Sequence, residues 1–315
     1  MSSTRSRPPP CNVVRITLST HSVRCAVGCD RTRLDHTALK EVDFLRPPLN
    51  EVVFSVQFED DVIDEVLALS RFWPDIQEKF PNHEKQSPLP PVSETFQIPS
   101  LGPAVQFQML SGPPSARYWF LTVDGTKIVQ VQPDRLIFNW RQVEGNEPYP
   151  GYDQLLPEFL ALCEQFRNVL SQEDKAAPPP AWCELTYINP IPIAPASDGT
   201  HGQLATIINY LEANPPRVVL PTVEDTQIQQ RFRILNDAAE PIGRLYMTAV
   251  PGYHKTGQSV YVVTMLARGR PEPAGDSVDW VESARRFFDR AHKLIVHGFK
   301  EVTTPAMHAE WEEVS

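Results

Sequence analysis

From Glu51 onward the chain alternates, with Val52, Phe54, Val56 and Phe58 on one side and Val53, Ser55 and Gln57 on the other. A period of two marks a strand with one buried face. The next apolar positions, Val62, Ile63, Val66, Leu67, Leu69, Trp73 and Ile76, recur every three or four residues and predict a helix that Pro74 kinks or restarts. Strand-like runs follow at 105–110, 117–123 and 127–143, the last divided by Pro133-Asp134. Asp124-Gly125, between two of these runs, is a hairpin-turn signal. An apolar stripe of Leu155, Leu156, Phe159, Leu162, Cys163, Phe166, Val169 and Leu170 closes the stretch as an amphipathic helix.

After the proline run at 178–180 the same order restarts. Cys183, Leu185, Tyr187 and Asn189 share one face of a strand, and Leu204, Ile207, Ile208 and Leu211 mark a short helix. Three strands are expected at 227–235, 243–250 and 259–268, separated by the turn residues Asn236-Asp237 and Pro251-Gly252. A last helix carries Trp280, Val281, Ala284, Phe287, Phe288, Ala291, Leu294, Ile295 and Phe299, interrupted only by Gly298. The repeated order predicts an α+β fold of two pseudo-repeats of β-α-β(3–4)-α. They would join into a mainly antiparallel sheet with helices on one face, a TATA-binding-protein-like layout that by itself implies no function. The expected lobes are 42–175 and 181–315.

Length agrees with two modest cores, since the chain has 315 residues. Its apolar runs all fall short of the ~18 residues that a membrane span requires, so the expectation is a cytoplasmic protein with no membrane partner. A net charge of −10 argues against attraction of the whole surface to nucleic acid, while leaving room for a local basic patch. The 32 prolines, about double ordinary usage, cluster in connections such as 88–91, which reads as rigid loops. Residues 1–41 differ in kind: Arg5, Arg7, Arg15, Arg24, Arg31 and Arg33 occur without apolar periodicity, the mark of a poorly ordered basic extension. His21, Cys25 and Cys29, flanked by Cys11 and His36, raise the question of zinc, but no tight C-x-x-C pair supports it, and no metal or cofactor is expected. Cys163 and Cys183 lie on apolar faces and read as core residues.

The phosphate-cradling, dinucleotide, zinc-protease and serine-hydrolase signatures are all missing from the chain. Asp153 beside Tyr152, His201 and His254 are the acid–base candidates, each with a duller role at a helix start or turn. The strand faces opposite the apolar stripes are more informative. They place Ser55, Gln57, Gln106, Gln108, Gln130, Gln132, Asn139 and Arg141 in the first half, and Gln227, Gln229, Arg231, Arg233, Arg244, Tyr246 and Thr248 in the second. Such a face offers donors for phosphates or base edges, and Arg and Tyr offer stacking surfaces. A sheet face left to water is also polar, but it does not account for the scarcity of Asp, Glu and Lys in a chain with 39 acids.

The stretches PLNEVVFSVQF, FPNHEKQSPLPP, DGTKIVQVQPDRLIFNWR, YPGYDQLLPEF and TTPAMHAEW together resemble a sporadically distributed, uncharacterised prokaryotic family of about this length, over about 42–311. Patchy distribution implies an accessory gene, such as a phage-defence or toxin–antitoxin component. The leading expectation is therefore a non-enzymatic, partner-binding or regulatory protein with a protein partner. A nucleic-acid or nucleotide binder using the Gln/Arg face is the alternative, and an enzyme without a recognisable motif is the third.

Overall fold

The alternation that starts at Glu51 forms a strand at the centre of an antiparallel sheet, in which nine strands are paired among the described residues. The computed structural model describes residues 43–96, 116–171, 177–193, 201, 203–211, 219–220, 223–236, 238–271 and 279–314. The expected basic extension, its cysteines and histidines, the strand expected at 105–110, and Gln106 and Gln108 lie outside the described residues.

In chain order the elements are β1 (Asp43–Phe44), β2 (Glu51–Gln57), α1 (Glu65–Leu67), a π-helical turn (Ala68–Phe72), α2 (Trp73–Ile76), β3 (Asn82–Gln86), β4 (Arg117–Leu121), β5 (Lys127–Gln132) and β6 (Arg135–Arg141). Then come α3 (Tyr152–Leu170), β7 (Trp182–Pro192), a 3-10 turn (Leu204–Thr206), β8 (Ile228–Leu235), β9 (Pro241–Tyr253), β10 (Ser259–Gly269), α4 (Trp280–Val302), α5 (Pro305–Glu310) and β11 (Glu313–Val314). The large sheet runs β3-β4-β5-β6-β2-β7-β10-β9-β8, and β1 pairs with β11 in a small separate ribbon. No helix among the described residues is long and apolar enough to cross a membrane.

Several local signals act as their chemistry predicts. Gly125 takes φ +71 in the β4–β5 turn, where the Asp124 carboxylate accepts hydrogen bonds from the Thr126 amide and from the Thr122 and Thr126 hydroxyls. Pro74 restarts the first helical segment, standing in the first turn of α2 behind the π-helical turn. Two expectations change. The helix expected over Leu204–Leu211 is reduced to a 3-10 turn, after which Ile208 bridges to Thr303 beyond α4. The segment Asn82–Gln86 is an unforeseen edge strand, almost wholly exposed, so no apolar alternation announced it.

The helices α3 and α4 cover one face of the sheet. Phe54 is fully buried and touches Phe138 of β6, Tyr152 and Phe159 of α3, and Phe288 of α4. Beside it Cys183, Leu185, Tyr187, Met247, Tyr261, Val263, Met265 and Ala267 extend the same buried layer. The two cysteines are core residues, as expected, and burial pushes both thiols up.

Where β9 and β10 pass under α4, Gly243 and Gly269 face one another. A β-carbon on Gly269 would lie 2.7 Å from the Phe287 ring and 2.9 Å from the Ile242 carbonyl; one on Gly243 would run into the Arg268 carbonyl. Gly269→Ala and Gly243→Ala should each cost about 2 kcal/mol of unfolding free energy in urea titrations. Gly252→Ala, whose β-carbon would find only ordinary contacts beginning at 3.5 Å, should stay within about 0.5 kcal/mol.

Candidate binding face

Strand alternation sends every second side chain to the face away from α3 and α4. Cross-strand registers align these positions: Arg117 on β4, Gln130 and Gln132 on β5, Arg135 and Asn139 on β6, Ser55 and Gln57 on β2, Glu184 on β7, Arg268 on β10, and Arg244 and Tyr246 on β9. A relay of side chains links the first strands. Arg117 donates to Gln130 Oε1 (2.7 Å), Gln130 donates to Asn139 Oδ1 (2.7 Å), and Asn139 donates to Glu51 Oε1 (2.6 Å). Burial pushes the Glu51 carboxyl up, opposed by the Asn139 hydrogen bond and the nearby Arg141 charge.

This face is not open to water along its length, because residues 87–96, Ser-Pro-Leu-Pro-Pro-Val-Ser-Glu-Thr-Phe, lie across it. Arg117 Nε donates to the Ser87 carbonyl (3.1 Å). Gln132 accepts from the Leu89 amide (3.0 Å) and donates to the Leu89 carbonyl (3.1 Å). Arg135 donates to the Pro90 carbonyl (3.0 Å). Gln57 accepts from the Val92 amide and donates to the Val92 carbonyl, both at 3.0 Å. Successive anchors thus belong to β4, β5, β6 and β2, in the spatial order of the sheet.

Glu94 ends the crossing. Its side chain is 2 % exposed and ion-paired with Arg244 and Arg268, and it accepts a hydrogen bond from the Tyr246 hydroxyl. Arg244 also donates to the Thr95 carbonyl (2.6 Å) and stacks over the Phe96 ring (5.1 Å). From β4 to β9 there are six strand spacings, about 29 Å at ~4.8 Å each. Nine residue steps in a polyproline II conformation cover about 28 Å at ~3.1 Å each. Anchored on strands in sheet order, residues 87–96 form a strap across the strands, and an extended segment of this length suffices for the width it spans.

Of the residues singled out in the sequence, Gln130, Gln132 and Asn139 are buried in this network. Arg141 lies at its margin, over the Trp119 ring at 5.9 Å and donating to the Gly125 carbonyl. Arg244 and Tyr246 form the Glu94 receptacle. Gln229, Arg231 and Arg233 stand exposed on the outermost strand β8, on the same face, opposite Thr248, Tyr246 and Arg244. Sequence reasoning missed Glu94, Arg135, Arg268 and Arg117 as members of this face. It also missed the acids Glu51 and Glu184, the latter paired with Arg268; the only available signal was their parity with Ser55 and Thr186.

A second concavity of about 760 Å³ opens on the helix side, between the start of α3, the second half of α4 and the end of β7. Tyr149, Tyr152, Tyr187 and His292 line it. His292 stacks on Tyr152 with ring centres 3.8 Å apart, and its Nδ1 shares a 2.8 Å hydrogen bond with the Tyr187 hydroxyl. Burial, then the charges of His297 and Lys293, push His292 down to about 4, while burial raises the phenols of Tyr152 and Tyr187. All three groups are therefore neutral at pH 7, an arrangement that donates and accepts hydrogen bonds. Among the expected acid–base residues, Asp153 lines this cleft. His201 is instead buried between the Tyr253 and Tyr261 rings with Nε2 2.7 Å from the Val260 carbonyl, and His254 closes a turn with Thr256.

No family model, curated protein or solved structure matches the chain.

His292 sets a pH dependence whose sign follows from its depressed value. The unfolded chain takes up the proton near the usual 6.5 and the folded one only near 4, so stability is complete above about pH 6.5 and is lost as pH falls toward 4. Between pH 7 and 5 this contribution amounts to about 2 kcal/mol. Urea melts should show the decline, His292→Gln should flatten it by that amount, and NMR should find the His292 ring still neutral at pH 5.

Proposed function

We propose that the protein is a non-enzymatic binding protein whose polar sheet face engages a protein partner. One observation carries this reading: side chains of the face clasp the backbone and a carboxylate of a peptide segment, the work of a peptide-binding surface. The sheet is read as two copies of one β-α-β(3–4)-α unit in a TATA-binding-protein-like layout. Strand order supports this, since β6 returns to β2 and β10 to β7, each half seating its last strand beside its first. The resemblance to a patchily distributed prokaryotic family supports a regulatory or partner-binding role in an accessory system.

Nucleic acid remains the second reading because Arg231 and Arg233 are exposed together on β8. Photo-crosslinking residues placed at Gln229 and Arg233 should capture one protein in the native host, and a position on the solvent side of α4, such as Lys293, should not. Arg231→Ala should weaken the isolated complex by about tenfold or more if it makes a charge-assisted contact. Steep loss of single-stranded DNA binding with salt, removed by the same substitution, would transfer the face to the nucleic-acid reading. Capture of neither kind of partner would end both.

A further inference from the structure

The way residues 87–96 are held identifies what the face recognises. Pro88, Pro90 and Pro91 have no amide hydrogen to give, and the two clasped residues, Leu89 and Val92, are the non-proline positions between and after them. Leu89 and Val92 both turn their N–H and C=O toward the sheet, three positions apart, which is the repeat of a polyproline II helix. Gln132 and Gln57 meet each of these residues as a strand neighbour would, one amide group accepting N–H and donating to C=O. These contacts read extended backbone and ignore side-chain identity. The side chain that is read is Glu94, five residues after Leu89, by two guanidinium groups and a phenol.

The rest of the strap has the character of a ligand laid on a surface. Within residues 87–96 only Glu94 is buried; Ser87, Pro88, Pro90, Pro91, Ser93 and Thr95 are exposed. None of the ten residues joins the strand ladder. Little apolar surface holds the segment; its hold on the sheet is the set of hydrogen bonds and the Glu94 ion pairs, which a peptide carrying the same groups could replace one for one.

We infer that the partner segment is an extended, proline-rich peptide carrying a carboxylate five residues beyond its first clasped position, and that residues 87–96 are its stand-in, held in cis until such a segment displaces them. The inference rests on the reading of this face as the partner-binding surface. It also explains the glutamines: an amide side chain satisfies both halves of a peptide group, whereas Lys satisfies one and Asp the other. The tethered strap competes at an effective concentration of order millimolar. A peptide of ~10 μM intrinsic affinity would therefore bind the intact protein about a hundredfold more weakly.

The test uses the full chain and a labelled synthetic peptide with the sequence QSPLPPVSETF, together with the same peptide carrying Gln in place of Glu. Glu94→Ala empties the receptacle and weakens the strap, so the Glu peptide should bind this variant about tenfold more tightly than the unmodified protein. It should also raise the variant's melting temperature, and the Gln peptide should do neither. Val92→Pro removes the amide that Gln57 accepts from while leaving Arg244, Arg268 and Tyr246 untouched, and it keeps the test intact should Glu94→Ala not fold. Equal binding of the two peptides, or no binding to either variant at about 1 mM, overturns the inference. If the crosslinks at Gln229 and Arg233 still capture a protein, the partner reading survives and only the peptide class is wrong; if they also fail, the reading beneath it falls.

Discussion

Gln57 and Gln132 hold a crossing backbone by paired hydrogen bonds, and the polar half of this molecule depends on that clasp. Among the described residues the sheet has helices on one side only, yet Gln57, Gln130, Gln132, Arg135 and Asn139 on the other side are all at most 6 % exposed. A buried amide or guanidinium that loses its partner forfeits about 1–3 kcal/mol, more than the net gain of an ordinary hydrogen bond. The strap supplies those partners: without it Gln57, Gln132 and Arg135 would each lose a bonded carbonyl. Arg135 shows how tightly the matter is balanced. It bonds Gln57 and the Pro90 carbonyl, yet its Nε has no partner among the described residues, and burial lowers its pKa against the pull of Asp134 and Glu184.

The two faces constrain each other through the same strands. Phe54 and Gln57 lie three residues apart in β2, one in the aromatic core with Phe159 and Phe288, the other on the strap. Register is therefore fixed twice, since a slip of one residue would place a glutamine among phenylalanines and a phenylalanine under the prolines. Tyr187 plays a comparable part on β7, where its ring belongs to the core and its hydroxyl meets His292 at the floor of the cleft. The lowered His292 pKa follows from that packing and requires no functional demand.

How far the sequence foretold this depends on whether a feature leaves a period behind. β2, β5, β6, α3, β7, β9, β10 and α4 bury one face and leave the other polar, so alternation or a helical stripe marked each of them. β3 buries almost nothing, and Asn-His-Glu-Lys-Gln carries no pattern, because its place is set by backbone pairing to β4. The polar face was legible by parity as a set of Gln, Asn and Arg positions. Its cover was not: 88–91 read as a rigid connection because nothing in a proline run says which surface it crosses. Glu94 was invisible for the same reason, its three partners lying about 150 or more residues away along the chain. His292 was lost among helix residues because stacking on Tyr152 brings together positions 140 apart.

Charge bookkeeping on the face separates peptide from phosphate. Arg244 and Arg268 share Glu94, Arg268 also pairs with Glu184, and Arg135 faces Asp134. Three central arginines thus meet three carboxylates, and the middle of the face carries little net charge to neutralise a phosphate backbone. Among the described strand residues of this face the exposed arginines are Arg231 and Arg233, too few for the salt dependence typical of proteins that make many phosphate contacts. Glutamine amides in the middle of the sheet are neutral, donate and accept at once, and match a peptide group better than a phosphate, which only accepts. A surface that meets backbone at its centre and carboxylate at one end therefore suits the extended acidic peptide proposed for it better than it suits a phosphate backbone.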